Sequence, residues 1–203
     1  MENLATDVEK LIKDTAKRIF FAEGKLHATT QDIADAAGIN RASIHYYYRS
    51  RQILFDKVFE EAMAEFHSKQ RAAVVEEEIP FRQWIGMLVD LLLQKSLEHP
   101  YLELFLVVEL NTNPDLLPDI FPDQQERTAR RAKLREFIAQ EVANGTMKPI
   151  EPEHFIVTLM SLCIFPSLGK PMVKKALDFS EDDYTKFIAE RKEVILKQIF
   201  LDL

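Results

Sequence analysis

The stretch "TTQDIADAAGINRASIHYYYRSRQILF", residues 29–55, decides how the rest of the chain is read. Thr29 or Thr30 can cap a short helix, because a hydroxyl there accepts from the free N–H groups of the first turn. Ile33, Ala34 and Ala37 give that helix an inner face of modest bulk, and Ala34 lets a second helix approach closely. Gly38 supplies the positive φ of a tight helix–helix junction, and Ile39 plugs the junction. Asn40 can cap the next helix through the N–H of Ala42 or Ser43. From that helix Ile44 and Tyr48, four residues apart, turn inward together. The spacing is that of a helix-turn-helix.

Tyr46, Tyr47 and Tyr48 cannot all join one core, since a helix turns about 100° per residue. With Ile44 inward, Ala42 and Tyr46 fall on the opposite side, flanked by Ser43 and His45, while Arg41 and Tyr47 sit at the edges. Tyr48 is therefore core, Tyr47 rim, and Tyr46 outward. Such a strip suits a helix lying in a major groove, where side chains meet base edges and phosphates line both rims. The formal net charge of -7 taken alone argues against nucleic acid. Yet residues 1–50 carry seven basic and seven acidic side chains, so the whole excess lies in 51–203. From Ala36 to Phe55 there is no Asp or Glu, whereas Arg41, His45, Arg49 and Arg51 are present. Binding a polyanion needs a locally acid-free basic surface rather than a basic protein.

Hydrophobic content of 47% with 29% charged residues reads as soluble and globular, and 203 residues are ample for a core. Five glycines and long amphipathic stretches predict an all-α chain. Leu4, Val8, Leu11, Ile12, Thr15 and Ile19 follow helical spacing up to a stop near Gly24. A long fourth helix after Ser50 is expected to bury Leu54, Val58, Ala62 and Phe66. Pro80 and Pro100 bound "FRQWIGMLVDLLLQKSLEH"; "YLELFLVVEL" then leads into the turn-rich "NTNPDLLPDIFPD". "QQERTARRAKLREFIAQEVANG" is a polar helix with a narrow apolar stripe, and "EPEHFIVTLMSLCIFPSLGKPMV" is apolar almost all round. The last helix, "SEDDYTKFIAERKEVILKQIF", starts at a Ser180 cap. With no flexible linker after residue 50, the chain divides into 1–50, a helix-turn-helix DNA-binding head, and 51–203, a sensing and dimerisation body. The acidic, helical N-terminus is neither a signal peptide nor a membrane span, and the lone Cys163 forms no internal disulfide, so the expected location is cytoplasmic.

Residues 29–55 resemble the DNA-binding signature of the TetR family of bacterial transcriptional regulators, and the likeness extends over the head from residue 4 to about 55. The resemblance implies an all-α fold of about nine helices, with a three-helix head joined to a helical-bundle body. It further implies a homodimer that binds a palindromic DNA operator, acts as a repressor, and is released by a small molecule. Carried onto this chain, Thr29 or Thr30 would touch phosphate, and Arg41, Ala42, Ser43 and Tyr46 would sit among bases. His45, Tyr47 and Arg51 would reach phosphates. His45 departs from the family's usual tyrosine, and Tyr48 from its usual phenylalanine, which lets a hydroxyl reach the helix junction.

In the body, Trp84, Met87, Leu88, Phe105, Val108, Glu109, Phe155 and Leu159 lie on helices that wall a central cavity in the family. A lining of this kind would favour an apolar or aromatic effector, with Glu109 as polar anchor. Such a stripe is also what plain core looks like. The apolar girth of residues 152–175, with Phe187, Ile188, Ile195 and Ile199 on the segment 181–201, predicts a four-helix dimer interface. Enzyme readings find no support: there is no His pair at i,i+4, no phosphate-cradling glycine loop and no glycine-flanked serine elbow. Glu151-x-x-His154 has half the spacing of a di-metal site but no second copy, so neither metal nor cofactor is expected. Two alternatives remain: a ligand-binding or scaffolding protein that has lost its operator, marked by a broken or acidic recognition helix, and a helical-bundle hydrolase.

Overall fold

Helix α1, Glu2–Lys17, runs on through a wider π-helical turn, Arg18–Ala22, in the computed structural model, which describes residues 2–72, 79–112 and 124–201. Ile12, Ala16, Ile19, Phe20 and Phe21 are buried, whereas Leu11 is 42% exposed, so the inward stripe is narrower than the spacing predicts. Three consecutive residues, Ile19 to Phe21, are all buried because the turn is walled on several sides. The chain then reverses at Gly24, where φ is +70° and a Cβ would lie 2.7 Å from the Tyr101 ring. Glycine is required there twice over, for its dihedral and for its size.

Helices α2 (Thr30–Ala37) and α3 (Arg41–Tyr48) complete the head. Helix α4 (Arg51–Ala72) leads out of it, with Leu54, Val58 and Ala62 buried on one stripe; the side chain of Phe66 lies outside the described residues, as does that of Leu4. Ser50 caps α4, its Oγ accepting from the Ile53 N–H at 3.2 Å. Helix α5 (Phe81–Glu98) and helix α6 (Leu102–Thr112) meet at a sharp corner, residues 99–101. That corner docks on the head. The Tyr101 N–H donates to the Phe21 carbonyl at 3.1 Å, and Leu102 is wholly buried in the head's core.

Two apolar cores result. The first joins α1, its π turn, α2, α3, the start of α4 and the start of α6, around stacked and edge-on contacts among Phe20, Phe21, Phe55, Phe59 and Phe105. The second lies in the body between α5, α7 (Gln124–Ala143), α8 (Pro152–Leu168) and α10 (Glu181–Ile199). Its buried members include Ile85 and Val89 of α5, Leu134 and Ile138 of α7, Phe155, Leu159 and Cys163 of α8, and Ile195 of α10. Phe200 closes it, held by a bridge to Met147 and by the Leu201 N–H donating to the Thr146 carbonyl at 2.7 Å. The turn-rich segment, residues 113–123, lies outside the described set.

Among the described residues there are ten α-helices where about nine are expected, because the segment 152–175 breaks. Helices α8 and α9 (Lys170–Ala176) differ in direction by 79°. Pro171 lacks the N–H that would bond the Ser167 carbonyl, and its ring crowds that carbonyl, so α8 ends at Leu168 with the Gly169 N–H donating to Phe165 O at 2.8 Å. Among the described residues no single helix is long and apolar enough to cross a membrane.

Candidate nucleic-acid interface

The interface is built from the caps upward. Thr29 caps α2: its Oγ1 accepts from the Asp32 N–H at 3.2 Å, and the Asp32 carboxylate accepts from the Thr29 N–H and hydroxyl, both at 2.7 Å. These bonds hold the Asp32 carboxyl below its ordinary pKa, because they stabilise the charged form. Thr29 thus spends both its donors inside the head, and its expected phosphate contact is not free in this arrangement. Gly38 ends α2 at φ +67°, its N–H donating to Ala34 O and Asp35 O, and the Asn40 side chain accepts from the Ala42 N–H at 2.8 Å to start α3. Each cap contributes about 1 kcal/mol.

On α3, Ile44 is 1% and Tyr48 5% exposed, whereas Tyr46 is 80% exposed. Arg41, Ala42 and His45 are exposed beside Tyr46, and Ser43 and Tyr47 are half-buried. The three tyrosines therefore divide as helix geometry predicts. The Tyr46 ring stands edge-on to Tyr47 at 5.1 Å, which supports its outward pose. Tyr48 reaches Glu9 of α1 through its hydroxyl at 3.4 Å, and burial among apolar groups pushes its pKa up. Arg41 donates from Nε to Thr30 Oγ1 at 3.1 Å, tying α3 to the start of α2 and fixing the arginine stem.

Arg51 has a structural role beside the phosphate contact expected from sequence. Its guanidinium lies 5.2 Å from the Phe20 ring centroid and 5.5 Å from that of Phe55. Nε donates to the Ala28 carbonyl at 2.9 Å, and the terminal nitrogen donates to the Leu26 carbonyl. Two of the five guanidinium donors thus hold the loop 23–29 against the core, because the first turn of α4 aims inward. Arg49, which the sequence reading left out of the site, is exposed at the end of α3 with φ +56°, a left-handed stop for the helix. The missed signal is the want of a glycine after Tyr48, where a sharp turn into α4 needs a positive φ.

The body residues separate. Trp84 stacks on Phe81 and lies with Leu88, Phe155 and Leu159 in the second core, while Met87 is 36% exposed at its edge. Phe105 belongs to the first core, 4.6 Å from Phe55, and Val108 is 53% exposed. The side chain of Glu109 is outside the described residues. The seven described residues do not share one core, because α6 starts at the head and carries Phe105 with it.

The expected dimer residues need a similar correction. Ile188 and Ile195 are 5% and 0% exposed within the single chain, and Ile199 is half-buried against the same core. Phe187 packs half-buried on Phe179 and Tyr184 under the Arg191 guanidinium. The outward large apolar groups of these helices are instead Ile156, Val157, Met160 and Phe165 of α8, with Val194 of α10. Helical spacing alone could not say which side of an all-round apolar helix its own protomer would cover.

Glu151 stands before α8 and faces Arg135 at 3.7 Å, His154 is exposed, and among the described residues no group of three or more His, Cys, Asp or Glu could hold a metal. Cys163 is buried, and burial pushes its thiol up to about 12, so it packs rather than reacts.

Comparison with known proteins bears on the whole arrangement. Residues 12–58 match the family model of bacterial regulatory proteins, tetR family. The chain is 23% identical over 175 residues to the uncharacterized HTH-type transcriptional regulator YhgD of Bacillus subtilis, covering 79% of this chain and 83% of that one. A transcriptional regulator from Saccharomonospora viridis, solved in complex with choline, has the same fold at a TM-score of 0.66 and 16% identity, over 97% of this chain and all 100% of its own. The ketosteroid transcriptional regulator KstR2 of Mycobacterium tuberculosis follows at a TM-score of 0.64 and 14% identity, over 94% of each chain.

Proposed function

We propose that the chain, whose residues 12–58 match the family model of bacterial regulatory proteins, tetR family, is a DNA-binding transcription regulator of that family, a cytoplasmic repressor that binds a palindromic operator as a homodimer. The observation that carries this reading is the outer face of α3, where Tyr46 stands 80% exposed amid a stretch without acids. Arg41, Ala42, Ser43 and Tyr46 read base edges, while Thr30, His45, Tyr47 and Arg49 lie toward phosphates. Residues 1–50 serve as the DNA-binding head and 51–203 as the sensing and dimerisation body. The dimer forms through the outward faces of α8 and α10, at Val157, Met160 and Val194, which would otherwise leave a row of large apolar groups in water.

An apolar or aromatic small molecule releases the operator by favouring the free shape over the DNA-bound one. The related fold solved with choline and the related ketosteroid regulator support an effector of low molecular weight. Selection of operators from a random DNA pool tests the central reading. A recovered palindrome whose recognition is lost in Tyr46→Ala is the expected result. A pool that stays random, with salt-dependent binding only, would overturn it.

A further inference from the structure

Arg41 is the first residue of α3 and is exposed, yet its stem is not free. Its Nε donates to Thr30 Oγ1 at 3.1 Å, a bond between the starts of the two motif helices. A long arginine in water ordinarily samples many rotamers, and this bond favours one. The carboxylates of α2 are engaged elsewhere, Asp32 by the Thr29 N–H and hydroxyl and Asp35 by the Gln31 amide at 2.7 Å. From Ala36 to Phe55 the chain has no acid. Among the described residues, both terminal nitrogens of Arg41 are therefore left without a partner.

We propose that Thr30 is a positioning residue for Arg41, and that the pair reads a guanine at one defined place in each operator half-site. This deepens the operator reading above and rests on it. The donor count picks the base. A guanidinium has five N–H groups and no acceptor. With Nε held by Thr30, the side-on fork through Nε is spent, and the end-on fork of the two terminal nitrogens remains. Two parallel donors need two acceptors on one base edge. In the major groove guanine alone offers them, at O6 and N7; adenine sets a donor beside N7, thymine has one acceptor and a methyl group, and cytosine has a donor. As the first residue of α3, Arg41 stands where a helix lying in the major groove meets base edges.

Thr30 acts through ordering. A rotamer-rich side chain that must be fixed on binding weakens its contact by about twofold to tenfold. That loss applies only where the contact is made. Removing the Thr30 hydroxyl therefore lowers affinity for sites with the guanine more than for sites without it, and discrimination falls. A lost phosphate contact, in contrast, lowers affinity for all sequences alike. Accepting from Arg41 leaves the Thr30 hydroxyl its own proton to donate to a phosphate, so one side chain serves both ends of the contact.

Operators are first selected from a random DNA pool with the full chain. Each base pair of the half-site is then replaced in turn, and affinities are measured by anisotropy for the wild type, Thr30→Val, Thr30→Ser and Arg41→Lys. One guanine per half-site should emerge whose replacement costs the wild type about tenfold or more. That penalty should shrink by about twofold to tenfold in Thr30→Val and return in Thr30→Ser. It should largely vanish in Arg41→Lys, which keeps the charge without the planar fork, and adding Thr30→Val to Arg41→Lys should change it no further. Thr30→Ala replaces Thr30→Val should the latter fail to fold, since Thr29 rather than Thr30 caps α2. A palindrome with no guanine sensitive to Arg41→Lys overturns the proposal and leaves the operator reading intact. An unchanged guanine penalty in Thr30→Val, with affinity lowered equally for every sequence, makes Thr30 a phosphate contact or a structural tie and overturns its positioning role. A pool that stays random overturns the proposal together with the operator reading.

Discussion

Arg51 offers the sharpest test, because two accounts of it predict opposite results. If it reaches a phosphate, Arg51→Ala lowers the slope of log affinity against log salt by about one per half-site and leaves folding alone. If its fork holds the loop 23–29, the cost falls on stability. Two ring contacts, to Phe20 and Phe55, are worth roughly 0.5–1 kcal/mol each at a half-buried site. The bonds to the Ala28 and Leu26 carbonyls, donated by a charged group, are worth about 1.5 kcal/mol each before water relieves the exposed part. A loss of about 3 kcal/mol is the central expectation, which for a chain of this length lowers Tm by roughly 6–12 °C. Arg51→Lys sharpens the contrast, since it keeps the charge but cannot serve two carbonyls with a planar fork. Thermal unfolding by circular dichroism and operator anisotropy across a salt series decide the matter. An unchanged Tm for both variants, with a shallower salt slope for Arg51→Ala only, would refute the structural role.

Tyr48→Ala should cost about 3–5 kcal/mol, as for a large buried aromatic, whereas Tyr48→Phe, which loses only a 3.4 Å contact to Glu9, should cost at most about 1 kcal/mol in chemical denaturation. Tyr46→Ala should leave unfolding within about 0.5 kcal/mol while discrimination between operator and mismatched DNA falls by about 1–3 kcal/mol in competition binding. Val157→Glu with Met160→Glu should yield a folded monomer by sedimentation with operator affinity reduced well over about tenfold, whereas Ile195→Glu should unfold the chain; folded dimers of the former would remove α8 from the interface. Gly24→Ala should lower Tm, because the new Cβ meets the Tyr101 ring at 2.7 Å in a dihedral that alanine avoids, and Tyr101→Ala on the same chain should recover part of the loss.

The head was legible because each of its choices is local. A cap, a glycine at positive φ and a four-residue apolar spacing each fix backbone within one turn, so Gly38, Asn40 and Ile44 could be placed from sequence and the α2 cap narrowed to Thr29 or Thr30. Tyr46 followed from the same wheel. What stayed hidden depends on partners far along the chain. Arg51 sits among basic and aromatic neighbours that suit a phosphate contact equally well, and its bonds to the loop 23–29 appear only once that loop folds back under it. Ile195 and Val194 are consecutive apolar residues, and nothing local says that the first belongs to the chain's own core while the second stays 44% exposed. The burial of Glu103, only 4% exposed, was invisible for the same reason: within "YLELFLVVEL" it reads as a solvent-facing acid at a helix start, until the α5–α6 corner folds over it.

These long-range contacts also change how head and body can influence one another. From sequence, α4 is the shared lever, because it leaves the head at Arg51 and borders the body. The structure adds a second tie at the corner 99–101, where Leu102 and Phe105 enter the head's core and Tyr101 bonds Phe21. A head held at two places cannot swing about α4 alone; moving it requires that the corner move as well or that the Phe21–Tyr101 bond break. Ion pairs from Lys13 to Glu61 and from Lys17 to Glu65, at 2.7 and 2.8 Å, also link α1 to α4. Motion of the head therefore depends on the corner as well as on the long helix. In the release reading proposed above, a small molecule acts by favouring one arrangement of these two ties over another.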